Sequence, residues 1–103
     1  MEIGKKPLKR NQTEEIREIE LDCSMMRDRD SAHAYLKEKM GFPAYYGKNL
    51  DALFDCLYGY PPCRVRVLNK ESLSDLGSYG TALLKVFMEI AEKDEKFEFY
   101  MES

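Results

Sequence analysis

The stretch that most constrains the fold is residues 42–60, FPAYYGKNLDALFDCLYGY, which predicts a short helix with two different sides. Asn49 is a residue type that commonly caps a helix N-terminus. Apolar residues follow it at helical spacing and predict one buried face, at Leu50, Leu53, Phe54 and Leu57. Asp51, Asp55 and Tyr58 fall together on a different side of the same helix, which we expect to face water.

The acidic side of this helix goes against local preferences. Asp51 suits the first turn, where the positive end of the helix dipole favours an acid. Asp55 lies nearer the C-terminal end and four residues from Asp51, a like-charge spacing that costs about 0.2–0.5 kcal/mol. Glycines, prolines and several tyrosines crowd the same segment, among them Tyr45, Tyr46 and Tyr60. Such an acid pair is often only a solvated surface, but carboxylates beside tyrosines are also typical of a recognition surface.

The run PAYYGKNLDALFDCL, residues 43–57, closely resembles the core motif of the barstar family, whose members are intracellular ribonuclease inhibitors. The match needs no gap, and it includes both tyrosines, Asn49 and both aspartates. A second local match is VFME, residues 86–89, which aligns with VF-x-E in the last helix of that family. The resemblance implies an α/β fold in which helices pack on a small three-stranded parallel sheet.

The resemblance also implies a function, the inhibition of a barnase-type ribonuclease through carboxylates that mimic RNA phosphates. Asp55 is then the central phosphate mimic, and Asp51 pairs with a basic residue at the edge of the cleft. Tyr45 stacks against the catalytic groups of the nuclease, and Asn49 contributes its side-chain amide at the rim. Glu89 supplies an outlying acid from the last helix.

Four further residues complete the partner-binding set that the resemblance implies: Phe54, Tyr58, Gly59 and Tyr60. Three of them depart from the family pattern. Phe54 and Tyr60 stand where tryptophan is expected, and Tyr58 stands where threonine is expected. Lys48 also places a positive charge where the family prototype has glutamate.

The rest of the chain agrees with that fold class on its own pattern. Alternating apolar residues predict strands at residues 18–23, 64–68 and 97–102. Helical spacing predicts a first helix, capped by Asp30 or Ser31 and ending at Gly41, and a last helix from Tyr79 to about Lys93. Asn69 is predicted to open a brief helix between them. Since all three strands alternate, we expect helices mainly on one face of the sheet and a largely polar opposite face.

Size and charge limit the remaining possibilities. The 103 residues predict one domain at residues 15–103, preceded by a flexible basic extension at residues 1–14. The net charge of −3 argues against nucleic-acid binding through the overall field of the protein. No apolar run suits a membrane span or an export signal, so we expect a cytoplasmic protein with no membrane partner, and a monomer.

The residue types that carry catalysis or bind metal are sparse. Three cysteines, Cys23, Cys56 and Cys63, accompany a lone histidine, His33, and their spacing suits no zinc site. We expect reduced thiols, with Cys63 the most accessible, and we expect His33 at an exposed or half-buried helix position. Acids on a convex helix enclose no substrate, so no catalytic residue, no metal and no cofactor is predicted.

Two alternatives to the inhibitor stay open at this point. A barstar-like scaffold can serve as an adaptor or regulator that binds a different basic protein and leaves nucleases alone. Direct RNA binding through the basic N-terminus with Arg64 and Arg66 is the third possibility, and it predicts a salt-sensitive RNA complex.

Overall fold

A computed structural model of the protein describes residues 16–102. The predicted extension at residues 1–14 lies outside them. The chain alternates strands with helices, in the order β1 (Arg17–Asp22), a first 3-10 helix (Cys23–Met25), α1 (Arg29–Met40), α2 (Leu50–Leu57), β2 (Cys63–Leu68), a second 3-10 helix (Lys70–Leu76), α3 (Ser78–Lys93) and β3 (Phe97–Met101).

The three strands form one parallel sheet with β2 in the centre. They align closely in register, so that Val65 of β2 lies beside Ile19 of β1 and Phe99 of β3. The segment between two parallel strands has to return along the sheet, and here the helices provide that return path. The predicted fold class, a small three-stranded parallel sheet packed by helices, is confirmed.

The two faces of the sheet differ as the alternation predicts. One face carries Leu21, Val65 and Val67 into the hydrophobic core, where helix residues such as Leu53 and Phe87 cover them. The other face is polar and is crossed by ion pairs from the central strand to both edges. Arg64 pairs with Glu18 and Glu98, and Arg66 pairs with Glu20 and Glu102.

The two ends of α1 follow local side-chain chemistry, with one correction. Asp28, not Asp30 or Ser31, caps α1: its Oδ1 accepts the Ser31 N–H at 2.8 Å, and the Ser31 hydroxyl accepts the Asp28 N–H at 3.0 Å. This reciprocal arrangement is a capping box, which satisfies two otherwise unpaired N–H groups. Gly41 ends α1 in the left-handed region with φ 72°, as predicted.

Two further details of the strands differ from the prediction. The alternation of residues 97–102 predicts Met101 on the same apolar side as Phe97 and Phe99, but it is the last residue of β3 and is 41% exposed. Cys63 was expected to be accessible after two prolines, but it begins the central strand and is fully buried. Its N–H donates to the Lys96 carbonyl at 3.1 Å, which ties it to the start of β3.

Within residues 16–102, none of the helices combines the length and the apolar character that crossing a membrane requires.

Candidate functional site

The candidate site is built around α2, whose position is set at its first residue and along its buried face. Asn49 caps the helix, since its Oδ1 accepts the Ala52 N–H at 2.7 Å. Its Nδ2 donates to the Gly47 carbonyl at 3.4 Å. Leu53 and Leu57 are completely buried in the core. The helix therefore presents its outer side in a fixed orientation.

That outer side carries the two carboxylates. Asp51 and Asp55 are both exposed, and neither takes part in an ion pair within the described part of the chain. Lys48, just before the helix, has a left-handed backbone with φ 58°, which is uncommon for a residue other than glycine. Backbone strain of this kind is concentrated at functional sites. We call Asp51 and Asp55 together the acidic face of α2.

A groove of about 420 Å³ runs beside the acidic face, and we call it the Tyr45 groove. Tyr45 stands at its edge with 88% of its side chain exposed. Tyr60 is half-buried, and its hydroxyl donates to the Met40 carbonyl. The groove thus brings three of the predicted site residues together, within a lining of Gly41, Phe42, Pro43, Tyr45, Asp55, Cys56 and Tyr60.

A buried histidine, His33, anchors the loop that carries Tyr45. Tyr46 is buried, and its hydroxyl lies 2.7 Å from His33 Nδ1; the Tyr79 hydroxyl lies 2.7 Å from His33 Nε2. His33 is only 1% exposed, so its predicted surface or half-buried position is wrong. Burial lowers the pKa of His33 and raises the pKa of Tyr46, because it disfavours the charged form of each group. One neutral imidazole therefore links α1, the Tyr45 loop and α3.

A second concavity, of about 290 Å³, lies where the C-terminal end of α2 meets the C-terminal end of α3. We call it the Tyr58 pocket. Tyr58 is 68% exposed, and its ring stacks on Phe54 with centroids 6.1 Å apart and planes 18° apart. Five residues line the pocket: Tyr58, Gly59, Ile90, Lys93 and Asp94. Glu89 lies one helical turn before Lys93, whose Nζ is 4.0 Å from a Glu89 carboxylate oxygen.

The nine predicted partner-binding residues thus fall around α2 and the last turns of α3. The Tyr45 groove and the Tyr58 pocket together take in Tyr45, Asp55, Tyr58, Gly59 and Tyr60, while Asn49 bonds within its own turn. Sequence reasoning missed Lys93 and Asp94 as pocket residues. No signal in the spacing would have found them, because their place beside Tyr58 depends on how α3 packs against α2.

The cysteines are all free thiols. Burial raises the pKa of Cys23 and of Cys63 to about 11, so both stay protonated and unreactive near neutral pH. Cys56 is half-buried and lines the Tyr45 groove, and burial raises the pKa of its thiol too. Residues 16–102 hold no cluster of three histidine, cysteine or acidic side chains that suits a metal ion.

Two comparisons with known proteins each match most of the chain. The family model described as "Barstar (barnase inhibitor)" matches residues 16–103. A protein of Bacillus subtilis (strain 168) with the name "Putative ribonuclease inhibitor YrdF" is 40% identical over 85 residues. That alignment covers 78% of this chain and 93% of the relative.

Proposed function

The chain belongs to the barstar family, and from that premise we propose that it inhibits a barnase-type ribonuclease by covering the active site with α2. The observation that carries the proposal is the acidic face: two exposed carboxylates on a capped, well-buried helix, free of ion pairs within residues 16–102. The name of the Bacillus relative, a ribonuclease inhibitor, agrees with it.

The proposed mechanism is mimicry of the substrate's charge. A ribonuclease holds a phosphodiester with converging arginine, lysine and histidine side chains. A carboxylate delivered to that place makes the same charge-assisted hydrogen bonds as a phosphate oxygen, and with arginine it often makes two at once. Asp55 is the central mimic because it lies at the border of the Tyr45 groove. Asp51, one turn earlier, pairs with a basic residue at the edge of the cleft.

The other predicted residues surround this pair. Tyr45 supplies an exposed ring that stacks on the catalytic groups of the nuclease. Tyr60 forms part of the lining of the Tyr45 groove. Phe54, Tyr58 and Gly59 extend the contact beyond the end of α2. Aromatic side chains placed around buried charges are the residues that usually contribute most of the binding energy at an interface.

The remaining two contacts lie at the edge of the proposed interface. Asn49 adds a polar contact at the N-terminus of α2, where one N–H of its amide already bonds to Gly47. Glu89 contributes the outlying acid from α3 and shares its charge with Lys93 in the free protein.

An enzymatic role has less support than inhibition. Acid–base catalysis by two carboxylates needs different environments that separate their pKa values and a site that excludes water. Asp51 and Asp55 are both exposed on one convex helix. We therefore propose a binding protein without catalytic residues, which acts as a monomer in the cytoplasm and protects the cell that makes the nuclease.

Direct RNA binding also has less support. Arg64 and Arg66, the arginines suggested for that role, each pair with two acids on the polar face of the sheet. Cations that are already neutralised by neighbouring carboxylates release few counterions from a phosphate backbone.

The test is a titration of an active barnase-type ribonuclease with the full chain. We expect RNA cleavage to stop near a one-to-one ratio. Asp55→Ala should lower the affinity by about thirtyfold or more, since truncation of a buried charge pair at an interface costs about 2–5 kcal/mol or more. The thermal unfolding midpoint should change little, because Asp55 makes no ion pair among residues 16–102.

Asp75→Asn is the matched control, because it removes an exposed carboxylate from the second 3-10 helix, outside the proposed interface. Its inhibition should equal that of the natural chain. Full nuclease activity in the presence of excess inhibitor would reject the proposal and favour an adaptor for another basic protein. Unchanged affinity of Asp55→Ala would reject the role of that carboxylate alone.

A further inference from the structure

The Tyr58 pocket has a shape that suits a single side chain. Its volume is about 290 Å³, and its floor is Ile90, which is 1% exposed. Tyr58 forms one wall, and the exposed Gly59, with φ 78° and no side chain, leaves another part open. Burial of an aliphatic stem against Tyr58, which is 68% exposed, would remove apolar surface of both molecules from water.

The electrostatics of the pocket come from two helix ends. The C-terminus of α2 lies at Leu57 with Tyr58 as its C-cap, and the C-terminus of α3 lies at Lys93 with Asp94 as its C-cap. Each helix end carries partial negative charge from its last carbonyl groups. The last turn of α2 contains no basic residue that would offset this charge. Two negative helix ends therefore converge on one concavity.

Asp94 adds a full negative charge at the same place. Its Oδ1 accepts the Lys96 N–H at 3.0 Å, a bond that holds the carboxylate in position. The second oxygen, Oδ2, takes part in no hydrogen bond or ion pair within residues 16–102. It is therefore available as an acceptor for a charged donor from outside.

Lys93 is the one cation among the described residues that line the Tyr58 pocket, and it offsets the negative potential there only in part. Its ammonium is paired with Glu89 at 4.0 Å, and its side chain is 53% exposed. An acidic ligand that approached Lys93 would also meet Asp94 and both helix ends, which would repel it. A cationic ligand meets the favourable charges and leaves the Lys93–Glu89 pair in place.

The aromatic wall favours arginine over lysine. Phe54 stacks on the Tyr58 ring, which stays 68% exposed. A planar guanidinium can stack on an aromatic ring and still donate in its own plane to a carboxylate, whereas an ammonium acts as a point charge.

We infer that the Tyr58 pocket binds an arginine side chain of the protein partner, with the guanidinium donating to Asp94 and stacking on Tyr58. The identity of the partner as a nuclease rests on the proposed function, but the chemistry of the pocket does not. Asp94 thereby becomes a specificity-determining residue of the interface, outside the lining of the Tyr45 groove. The partner must then present an arginine outside the basic cleft that receives Asp55.

The first test needs no nuclease. Amide NMR spectra of the full chain are recorded while N-acetyl-arginine methylamide is added, and the citrulline derivative serves as a neutral control of the same shape. We expect saturating shifts at the Gly59 and Asp94 amides with Kd on the order of 1 mM, as is usual for so small a ligand. Asp94→Asn keeps the acceptor for Lys96 and removes the charge, so it should abolish these shifts.

Three results would overturn the inference: no saturating shift at the pocket, equal shifts with the citrulline derivative, or unchanged binding in Asp94→Asn. Asp75→Asn is the control for net charge. It lies before the other end of α3, a 16-residue helix about 24 Å long, and should bind like the natural chain.

The second test uses the barnase-type ribonuclease. Asp94→Asn should raise the Kd of the complex about five- to tenfold, mainly through faster dissociation, while Asp75→Asn leaves it unchanged. A natural chain that fails to inhibit would reject the proposed function, and the arginine titration would still decide the pocket. Normal inhibition together with an unchanged Kd in Asp94→Asn would overturn the pocket's part in the interface.

Discussion

At the scale of single residues, His33 connects the interior of the protein to its candidate site. Both ring nitrogens are occupied, one by the Tyr46 hydroxyl and one by the Tyr79 hydroxyl. A neutral imidazole can donate from one nitrogen and accept at the other, which satisfies both tyrosines at once. The backbone of Tyr46 then fixes the position of Tyr45, the most exposed aromatic residue of the groove.

This arrangement predicts a pH dependence of stability. Burial holds the pKa of His33 below its ordinary value of 6.5 in the folded protein, so the unfolded chain binds a proton first as the pH falls. The stabilising effect is complete above about pH 6.5 and is lost as the pH falls towards the folded-state pKa. We expect the free energy of unfolding in urea to decrease by up to about 1.4 kcal/mol per pH unit between pH 6.5 and 5.5.

His33→Gln provides the control, since His33 is the only histidine of the chain. The variant loses at least one hydrogen bond and should be less stable at pH 7.5, but its free energy of unfolding should change much less between pH 6.5 and 5.5. An equally steep decrease in the variant would show that other groups titrate over this range and that His33 does not control it.

Single residues also show how far the sequence alone can predict the site. Asn49, Asp51 and Asp55 were predictable because a cap and a helical repeat are local patterns, and the structure confirms the cap and the exposure of both acids. His33 and Asp94 were not predictable. His33 meets Tyr79 of α3, and Asp94 at the end of α3 lies beside Tyr58 at the end of α2. Both surroundings depend on contacts between segments that are distant in the chain, which no local pattern describes.

At the scale of elements, α3 is positioned by a close approach to the second 3-10 helix. Gly80 is buried in the first turn of α3, directly against Leu73. A Cβ atom at position 80 would lie 2.8 Å from the Leu73 carbonyl oxygen and 3.2 Å from its Cβ. The carbonyl belongs to the backbone, so it cannot move aside cheaply. Glycine therefore sets the spacing between these two helices.

Gly80→Ala should lower the free energy of unfolding by about 1–3 kcal/mol, because the added methyl forces the two helices apart. Helix propensity alone predicts the opposite, a gain of about 1 kcal/mol for alanine over glycine. Urea unfolding of the variant decides between the two. Thr81→Ala, at the exposed neighbouring position of the same helix, should be neutral or slightly stabilising. A Gly80→Ala variant as stable as the natural chain would disprove the close approach.

Elements were predicted well where their own pattern defines them, and poorly at their ends. The helical repeat and Gly41 predicted the course of α1 and its end. No local pattern favoured Asp28 over Asp30 as the cap, because the choice depends on the hydrogen bond that the Ser31 hydroxyl accepts from Asp28. The two prolines before Cys63 predict an accessible thiol. Its burial follows from its place in the centre of the sheet, which is a property of strand order and not of local sequence.

At the scale of the whole molecule, two charged surfaces differ in how far their charges are paired within the protein. On the polar face of the sheet, Arg64 and Arg66 are surrounded by four acids and are neutralised within the protein. The acidic face of α2 has no such compensation among residues 16–102, and the chain as a whole carries a net charge of −3. The acidic face therefore adds negative charge, unpaired within this part of the chain, at the surface proposed to meet a basic cleft.

This division predicts how association depends on salt. The association rate constant with a barnase-type ribonuclease should fall at least about tenfold between 0.05 and 0.5 M NaCl, because the salt shortens the range over which opposite charges attract. The dissociation rate constant should change much less, since contacts in the formed complex exclude ions. Stopped-flow mixing over this range measures both. Asp55→Ala should have a shallower salt dependence than the natural chain, and Asp75→Asn, in the second 3-10 helix before α3, should keep most of it. An association rate constant that does not change with salt concentration would mean that the acidic face does not guide the encounter, whatever its part in the bound state.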